Sequence, residues 1–470
     1  MSADGLQRAR QKMRTHGEHQ RSVLAFEHSY RQLEDLLANG AGGTIPEDTI
    51  EPLTGVPSLD DFEPTEAAVA AALGQVAIVK LNGGLGTSMG VTGPKSALEV
   101  KDGLAFLDII ARQVLALRAR HRVDLPLVLM NSFRTRDESL ALLGRHPGLA
   151  TEGLPRDFLQ GAEPKLREDD LEPVEWPAQP DLEWCPPGHG DVYLALSSSG
   201  LLDLLLQRGF RYAFLSNADN LGATCDPRIA AWLVENEVPF VAEVCDRTRN
   251  DRKGGHLAVR KHDGRLVLRD SAMVADGEDD FFQDNTRHTT FHANNIWLDL
   301  RVVARLLAES ESRGEVGLGL PIIANRKSVD PSDPSSTKVI QIETAMGTAI
   351  ERIDGAQAIH VPRNRFRPVK TTNELLLVRS DIFELDQDSN VVSVIDHAEP
   401  FVDLDSAYFK LVPDFDERFP AGVPSMREAT SLRVTGDVRF GARVACVGDV
   451  VVKAPEGRTI ADRTRLTGEA

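Results

Sequence analysis

Cysteine is scarce in this sequence, and its placement argues against two kinds of site. The four cysteines among 470 residues are Cys185, Cys225, Cys245 and Cys446, and no two of them form a Cys-x-x-Cys pair. Structural zinc sites and disulfide frameworks use paired or regularly spaced cysteines. We therefore expect neither of them, and we expect reduced thiols in a cytoplasmic protein.

Long apolar runs and an excess of positive charge are also lacking. No apolar run is long enough to cross a membrane, and the polar stretch 1–21 lacks the apolar core of a signal peptide. Acidic residues outnumber basic ones by 71 to 53, which gives a net charge of −18. Such a surface repels nucleic acid and anionic membranes, so we expect neither as a partner. A phosphorylated substrate would need cationic side chains or a metal ion at the binding site.

A glycine-rich segment follows the first buried strand that the sequence predicts. The strand is the apolar run 76–81, and residues 82–96 then hold five glycines and Lys95. Glycine lets the backbone approach a ligand closely, and successive N–H groups turned inward bind anions. The ammonium group of Lys95 adds a mobile positive charge. The segment therefore predicts a loop that surrounds phosphates.

The loop matches neither of two common phosphate-binding motifs. A Walker loop has lysine directly after glycine, and here Pro94 separates Gly93 from Lys95. The glycines at 84, 86 and 90 are spaced one residue too widely for a dinucleotide fingerprint. The segment instead resembles the nucleotide-binding loop of the eukaryotic-type UTP–glucose-1-phosphate uridylyltransferases, Leu-Asn-Gly-Gly-Leu-Gly-Thr-x-Met-Gly-x-x-Gly-Pro-Lys. The resemblance implies contacts to UTP from Leu81, Asn82, Gly83 and Gly84.

A second motif, Pro-Pro-Gly-His-Gly-Asp at 186–191, places a histidine between two glycines. A lone histidine is more often structural, but the glycines leave room for a flat ligand beside the ring. In the resembled family this turn contacts uracil and lies near the sugar phosphate, which implies these roles for Gly188 and His189. The segment at 158–165 resembles the family segment whose glutamine reads the edge of uracil, here Gln160.

A third motif, Ser-Asn-Ala-Asp-Asn at 216–220, ends an apolar strand. Ligands in open α/β sheets bind at the carboxyl ends of strands, and Mg²⁺ usually takes only one or two protein carboxylates. By itself the motif would be an ordinary Asx-rich turn. Its match to the family implies that Asn217 and Ala218 lie near the uridine and that Asp219 binds Mg²⁺.

Two further segments resemble those that bind the sugar phosphate. The stretch 291–297 is similar to the family's Phe-Asn-Thr-Asn-Asn-Leu-Trp, whose asparagines bind glucose hydroxyls. Asn294 matches it, whereas His292 and Ala293 depart from it, so one sugar contact is either lost or reassigned. Residues 361–372 predict an anion site or a basic surface loop, and the resemblance implies that its lysine approaches the reacting phosphates. The cations of this segment are Arg363, Arg365, Arg367 and Lys370.

Alternating patterns predict the fold class. Strand patterns at 76–81, 127–131, 212–216 and 240–244 alternate with helical patterns at 104–118, 194–207 and 229–235. They indicate an α/β fold, in which helices flank a mixed and mostly parallel sheet. The resemblance implies that this fold is that of a Rossmann-like nucleotidyltransferase. We expect an amino-terminal helical segment at 1–70, a catalytic domain at 71–388 and a carboxy-terminal domain at 389–470. The last resembles the family's small β-helix, although a β-meander would show the same pattern.

The family motifs occur in family order over roughly residues 76–383, and together they imply a reaction. UTP and glucose 1-phosphate would give UDP-glucose and pyrophosphate by in-line attack on the α-phosphorus. The attacking phosphate is already deprotonated, so positioning and charge neutralisation should supply most of the catalysis. Lys95 would bind the departing phosphates, Lys370 the α-phosphate and the sugar phosphate, and Asp219 the Mg²⁺ ion.

Two alternatives stay open at this point. The enzyme could use another hexose 1-phosphate, such as galactose 1-phosphate or N-acetylglucosamine 1-phosphate. The chain could also be a catalytically silent nucleotide-sugar-binding protein, although Lys95, Asp219 and Lys370 argue against that. The sequence does not decide whether the protein forms a homo-oligomer.

Overall fold

Helices alternate with strands along most of the chain. The structure, a computed structural model, describes residues 3–39, 43–247 and 254–469. The helices are α1 (Ala3–His16), α2 (Gln20–Asn39), α3 (Glu66–Leu73), α4 (Phe106–His121), α5 (Arg136–Leu143), α6 (Val192–Ser198), α7 (Leu201–Gln207), α8 (Pro227–Asn236), α9 (Asp279–Gln283), α10 (Leu300–Ser312), α11 (Thr372–Arg379), α12 (Ser406–Phe409) and α13 (Val412–Arg418).

The strands range from two to sixteen residues in length. They are β1 (Ile50–Pro52), β2 (Val76–Asn82), β3 (Glu99–Lys101), β4 (Leu104–Ala105), β5 (Leu127–Asn131), β6 (Asp157–Leu159), β7 (Glu163–Pro164), β8 (Leu166–Arg167), β9 (Trp184–Cys185), β10 (Tyr212–Asn217), β11 (Phe240–Asp246), β12 (His256–Arg260), β13 (Leu266–Arg269), β14 (Thr290–Asp299), β15 (Ile322–Ser328), β16 (Lys338–Thr344), β17 (Gln357–His360), β18 (Phe383–Leu385), β19 (Val391–Ser393), β20 (Phe401–Leu404), β21 (Ser425–Phe440), β22 (Ala445–Ile460) and β23 (Arg465–Glu469).

The largest sheet among the described residues has seven strands in the order β17-β11-β14-β10-β2-β5-β6. β14 is antiparallel to both of its neighbours, and the other adjacent pairs are parallel. β2 is buried along its whole length, as expected for a strand that is covered on both faces. The predicted mostly parallel, mixed α/β sheet is therefore confirmed.

Helices cover both faces of this sheet. Successive side chains of a strand point to opposite faces, and accordingly Ile78 and Val79 of β2 belong to different apolar clusters. Phe106 of α4 packs in the first cluster, and Leu202 of α7 and Val303 of α10 pack in the second. Each fully buried side chain of this kind contributes about 1.5–3 kcal/mol to folding.

One predicted helix is divided in the structure. The pattern at 194–207 corresponds to α6 and α7, because Gly200 between them has a left-handed backbone with φ of 75°. A helix cannot continue through that conformation. The patterns at 104–118 and 229–235 correspond to α4 and α8.

The amino-terminal helices pack against a second sheet, which has the order β15-β16-β8. Phe26 and Tyr30 of α2 share an apolar cluster with Ile340 and Ile342 of β16. The Tyr30 hydroxyl also donates a hydrogen bond of 3.2 Å to the Leu171 carbonyl oxygen. This packing fixes the strand that leads to Thr344, which borders the candidate site.

Four strands near the carboxyl terminus form a parallel sheet in the order β20-β21-β22-β23. Phe440 of β21 pairs with Ile460 of β22, and Ala445 of β22 pairs with Arg465 of β23. Neighbouring strands of a β-meander are antiparallel, so a meander does not describe these strands. In the described part of the chain, no helix combines the length and the apolar character that a membrane crossing requires.

Candidate active site

The candidate site lies at the carboxyl ends of β2, β5 and β10. These strands are parallel neighbours, and their last residues are in register, Asn82 with Asn131 and Leu81 with Asn217. The backbone N–H of Ala218 donates a hydrogen bond of 3.1 Å to the Leu81 carbonyl oxygen. The loops that carry the predicted nucleotide contacts therefore leave the sheet side by side, at the edge where open α/β sheets bind ligands.

The glycine-rich loop closes on itself before it returns to the fold. The Lys95 N–H donates to the Gly84 carbonyl oxygen at 3.2 Å, and the Met89 N–H donates to the Gly86 oxygen at 2.9 Å. Gly90 has a left-handed backbone with φ of 73°, a conformation that costs other residues strain. The loop thus presents Lys95 beside the end of β2.

Lys95 and Asp219 form an ion pair across the site. Lys95 Nζ lies 2.7 Å from Asp219 Oδ2, and both side chains are mostly buried. The other carboxylate oxygen, Oδ1, is buried and has no hydrogen-bond partner among the described residues. A buried acceptor without a donor is costly, so this oxygen is free for a cation or a donor that enters the site.

Gln160 packs against the glycine-rich loop. It is 9% exposed, and its backbone N–H donates to the Asn131 carbonyl oxygen at 2.9 Å. A Cβ atom at Gly83 would overlap the Gln160 carboxamide, so the close approach requires glycine there. Gln160 Nε2 is buried without a partner in the described structure, which leaves an N–H group for a carbonyl-bearing ligand such as a base.

The Asn82 side chain has a structural role. Its Nδ2 donates hydrogen bonds of 2.7 Å to Asn131 Oδ1 and of 2.7 Å to Ser139 Oγ. All three residues are buried, so these bonds hold β2 to β5 and to the start of α5. Any ligand contact from Asn82 would therefore involve its backbone.

The turn that carries His189 is fitted tightly against the end of β16. Gly188 has φ of 83°, and a Cβ atom there would lie 2.5 Å from the Thr344 carbonyl oxygen. The Met346 N–H donates a hydrogen bond of 2.9 Å to His189 Nδ1. This bond leaves the proton of a neutral imidazole on Nε2, and burial lowers the pKa of His189. The turn therefore offers a neutral N–H donor.

Asn294 has an unusual backbone conformation for a strand residue. Its φ is 54°, and the pairing of β14 with β11 shifts register at this point. Bulges of this kind redirect a side chain and are frequent beside active sites. The buried His292 imidazole lies close to Asn294 and to His189, and burial lowers the pKa of His292 to about 4.

Three of the four cations at 363–370 have partners inside the protein. Arg365 is buried and binds Glu243 through two hydrogen bonds of 2.6 and 2.7 Å. Arg363 donates to the Asp246 carbonyl oxygen at 3.1 Å, and Arg367 lies 4.0 Å from the centre of the Phe383 ring. The cluster as a whole is therefore not an anion site.

Lys370 differs from these arginines. It is exposed, and neither a hydrogen bond nor an ion pair joins it to any residue that the structure describes. The Val369 N–H next to it donates to the Asp219 carbonyl oxygen at 3.2 Å, which fixes the segment beside the metal-binding candidate. Of the four cations, Lys370 is the exposed one, and it is available to a phosphate.

The motif analysis missed a buried lysine below the site. Lys80 Nζ donates hydrogen bonds of 2.7 Å to Ser216 Oγ and of 2.7 Å to the Ala223 carbonyl oxygen. It therefore joins β2 to β10 and to the turn that carries Asp219. Burial lowers the pKa of Lys80 to about 7. A lysine inside the apolar run 76–81 was the sequence signal that could have revealed it.

The site contains one candidate metal ligand from the protein. Within the described ranges, no group of three histidine, cysteine, aspartate or glutamate side chains is arranged to hold a metal ion. Magnesium needs only one or two protein carboxylates when phosphates and water supply the other oxygens. The unpartnered Asp219 Oδ1 fits this requirement.

Sequence comparison relates the chain to proteins of known activity. A family model described as UTP–glucose-1-phosphate uridylyltransferase matches residues 25–446. The Saccharomyces cerevisiae UTP–glucose-1-phosphate uridylyltransferase is 40% identical over 390 residues, which cover 83% of this chain and 76% of that protein. The Hordeum vulgare protein of the same name is 38% identical over 417 residues, or 88% of this chain and 82% of that one.

Solved structures resemble the chain along its whole length. A structure of UDP-glucose phosphorylase from Trypanosoma brucei has a TM-score of 0.88 and 40% identity, covering 99% of this chain and 98% of that one. A mutant of Leishmania major UDP-glucose pyrophosphorylase in complex with UDP-glucose has a TM-score of 0.89 and 38% identity, covering 100% and 99%.

Proposed function

The chain belongs to the UTP–glucose-1-phosphate uridylyltransferase family, and from this premise we propose how its site makes UDP-glucose. The enzyme forms UDP-glucose and pyrophosphate from UTP and glucose 1-phosphate. One observation carries the proposed mechanism. Lys95 and Asp219 form an ion pair whose second carboxylate oxygen is unpartnered, next to the segment that presents Lys370.

We propose that uracil lies between Gln160 and the Gly188 turn. The unpartnered Gln160 Nε2 donates to a uracil carbonyl oxygen, and the glycines allow the flat base to approach the backbone. The ribose then lies over Asn217 and Ala218 at the end of β10. The phosphates follow toward the glycine-rich loop, where Gly83 and Gly84 follow the carboxyl end of β2.

The triphosphate would rearrange the ion pair in the site. Its β- and γ-phosphates offer Lys95 new acceptors, so the lysine can leave Asp219 without losing its charge partner. The released carboxylate would then hold Mg²⁺ through Asp219 oxygens. When bound, the ion would supply positive charge to the nucleotide oxygens.

The chemical step requires no general base from the protein. A phosphate oxygen of glucose 1-phosphate forms a bond to the α-phosphorus, and the bond between that phosphorus and the bridging oxygen of pyrophosphate breaks. Lys370 lies between the attacking and the α-phosphate and reduces their repulsion, while Lys95 neutralises the departing pyrophosphate. His189 donates its Nε2 proton in a hydrogen bond to the sugar phosphate, and Asn294 binds hydroxyls of the hexose.

We also propose the domain organisation for this family member, with boundaries at 1–70, 71–388 and 389–470. The parallel pairing of β20 to β23 supports a small β-helix as the carboxy-terminal domain, because Phe440 pairs with Ile460 and Ala445 with Arg465, in each case twenty residues further along the chain. A cytoplasmic location is supported by the four cysteines, which are buried and form no disulfide in the described structure.

A pyrophosphate-release assay tests the sugar specificity. The purified protein is given UTP, Mg²⁺ and one of three sugar phosphates: glucose, galactose or N-acetylglucosamine 1-phosphate. We expect glucose 1-phosphate to react fastest. Faster release with either of the others would overturn the assignment of glucose, and no release with any of them would indicate a silent binding protein.

The stereochemistry at phosphorus tests the in-line mechanism. UTP carrying one sulfur atom at a chiral α-phosphorus gives a UDP-glucose whose configuration can be determined by phosphorus NMR. A single in-line displacement inverts the configuration. Retention would require two successive displacements and would exclude direct attack by the sugar phosphate.

A further inference from the structure

A second pocket lies behind the turn that carries His189. It has a volume of about 70 Å³, which is room for several water molecules or a small organic group. Helix α2, the end of β16, the segment 316–320 and the turn itself surround it. The pocket shares Pro187 and Gly190 with the turn, so a ligand bound there would touch the back of the substrate-binding segment.

Glu163 makes the pocket chemically distinctive. This residue lines the pocket and is 6% exposed, and its Oε2 atom has no hydrogen-bond partner among the described residues. A buried carboxylate normally has a donor or a cation beside it, because the loss of hydration is otherwise uncompensated. The proposed reaction assigns no role to Glu163 itself.

The charges around Glu163 are negative. Burial, and then the fields of Asp191, Glu18 and Glu343, raise the pKa of Glu163 well above its ordinary value. Asp191 also lines the pocket, and one of its oxygens, Oδ2, accepts a hydrogen bond of 2.7 Å from the Gly161 N–H. Two carboxylates thus meet at one pocket, and a bound cation would relieve their repulsion.

The shape and lining of the pocket select among cations. Apolar side chains line much of the pocket, which favours a cation with a hydrocarbon stem over a divalent metal ion that keeps its water ligands. An ammonium group has three N–H donors and suits two carboxylates and the Ser29 hydroxyl, which also lines the pocket. Ala25, Leu318 and Ile342 provide apolar walls that fit a short hydrocarbon stem.

We propose that this pocket binds a small primary ammonium compound, with its charged group on Glu163 and Asp191 and its hydrocarbon stem between α2 and the segment 316–320. The ligand occupies a site separate from the one for UTP and glucose 1-phosphate. Because both sites share the turn at 187–190, binding at one changes the affinity at the other by the same factor.

Calorimetric titration of the full chain with n-propylammonium chloride tests the proposal. The controls are n-propanol, which has the stem without the charge, tetramethylammonium, which has the charge without N–H donors, and potassium chloride at equal ionic strength. We expect binding by n-propylammonium alone, with a matching rise in the melting temperature. Equal binding by tetramethylammonium or potassium, or no binding by n-propylammonium, would overturn the proposal.

Variants locate the binding site. Glu163→Gln keeps the shape of the side chain but cannot become a carboxylate, and it should weaken n-propylammonium binding by roughly tenfold to a hundredfold. Glu315→Gln is the matched control, since Glu315 is exposed and pairs with Arg313. Should Glu163→Gln fail to fold, Ala25→Phe fills the pocket without changing its charge and should also abolish binding. Unchanged affinity in a folded variant at either position would place the ligand elsewhere.

Discussion

At the scale of the residue, Asp219 has two possible partners, the Lys95 ammonium group and a metal ion. Asp219→Asn should keep the fold and raise the Mg²⁺ concentration needed for half-maximal activity, because a neutral amide is a poor ligand for a hard cation. The asparagine amide oxygen can still accept a hydrogen bond from Lys95, and both side chains keep some contact with water, at 17% and 20% exposure, so the loss of stability should be modest. Initial rates as a function of Mg²⁺ concentration test the metal dependence, and a thermal melt tests the stability.

The control for this change is Asp203→Asn, at an exposed aspartate on α7. We expect its metal dependence to equal that of the wild type. If Asp219→Asn also shows the wild-type metal dependence, the metal ligand lies outside this turn, and the unpartnered Oδ1 has another role.

Lys370 should act chiefly in the transition state. The attacking phosphate and the α-phosphate repel each other most as they close, so a cation between them raises kcat rather than only lowering KM. Lys370→Ala should lower kcat by roughly 10²–10³-fold, by analogy with the loss of an oxyanion-hole donor. The KM for UTP and the melting temperature should change little.

Steady-state kinetics with two further variants complete this test. Lys370→Arg should restore only part of kcat, since a planar guanidinium cannot occupy the position of an ammonium group. Lys410→Ala, at another exposed lysine, should leave kcat unchanged. A kcat for Lys370→Ala within a few-fold of wild type would show that this lysine does not contact the reacting phosphates.

Lys80 should make folding stability depend on pH. Burial lowers its pKa to about 7 in the folded protein, whereas an unfolded lysine titrates near pH 10.4. Between these values the unfolded chain binds more protons, so this residue makes the free energy of unfolding rise with pH. Below about pH 7 its unfavourable contribution is constant.

Lys80→Met isolates this effect. The difference in the free energy of unfolding, wild type minus variant, should increase from pH 7 to pH 10 in urea denaturation experiments, because other groups titrate alike in both proteins. A difference that does not change with pH would mean that Lys80 keeps its ordinary pKa in the folded protein.

At the scale of the element, the turn at 187–190 depends on glycine for two separate reasons. Gly188→Ala would force a backbone with φ of 83° and ψ of 173°, a region that essentially only glycine enters, at a cost on the order of 1–3 kcal/mol, and would also press a methyl group against the Thr344 carbonyl oxygen. We expect a higher KM for glucose 1-phosphate and a lower melting temperature. Gly200→Ala is the matched control, because Gly200 has φ of 75° and nothing within 4 Å of a Cβ atom. Equal KM values for the two variants would contradict the close fit at Thr344.

The strands and the loops after them were predictable because their signals are local. The signal for β2 and its loop lies within twenty positions, as a run of apolar residues followed by glycines and a lysine. The Asp219 turn likewise follows directly after the apolar residues of β10. The antiparallel position of β14 was not predictable, since it depends on pairing with β10 and β11 far along the chain. The division at Gly200 was missed although the Ser-Ser-Ser-Gly run at 197–200 interrupts the apolar pattern there.

The partners of the four cations at 363–370 could not be predicted from the neighbouring sequence. The spacing of these cations predicted an anion site or a basic surface loop, yet Arg365 binds the buried Glu243, which is more than a hundred residues away in sequence. A charge cluster does not reveal which of its members have partners elsewhere in the fold. The structure was needed to single out Lys370.

At the scale of the whole molecule, the carboxy-terminal part of the chain reaches the nucleotide loop. Leu411, which precedes α13, lies so close to Gly90 that a Cβ atom there would be 3.1 Å from Leu411 Cβ. The sequence motifs do not reveal this contact, because it joins residues that are more than three hundred positions apart. The Leu411 side chain thus packs against the loop that we propose to bind the triphosphate.

Leu411→Ala should therefore loosen the loop without unfolding the protein. The residue is 38% exposed, so its truncation removes little buried apolar area and should lower stability only modestly. The KM for UTP should rise several-fold, because ordering the loop around the triphosphate then costs more conformational entropy, while the Mg²⁺ dependence stays that of the wild type. Leu24→Ala on α2 is a control of equal exposure, 38%, far from this loop in sequence. If the two variants have the same KM for UTP, the contact at Gly90 does not support nucleotide binding.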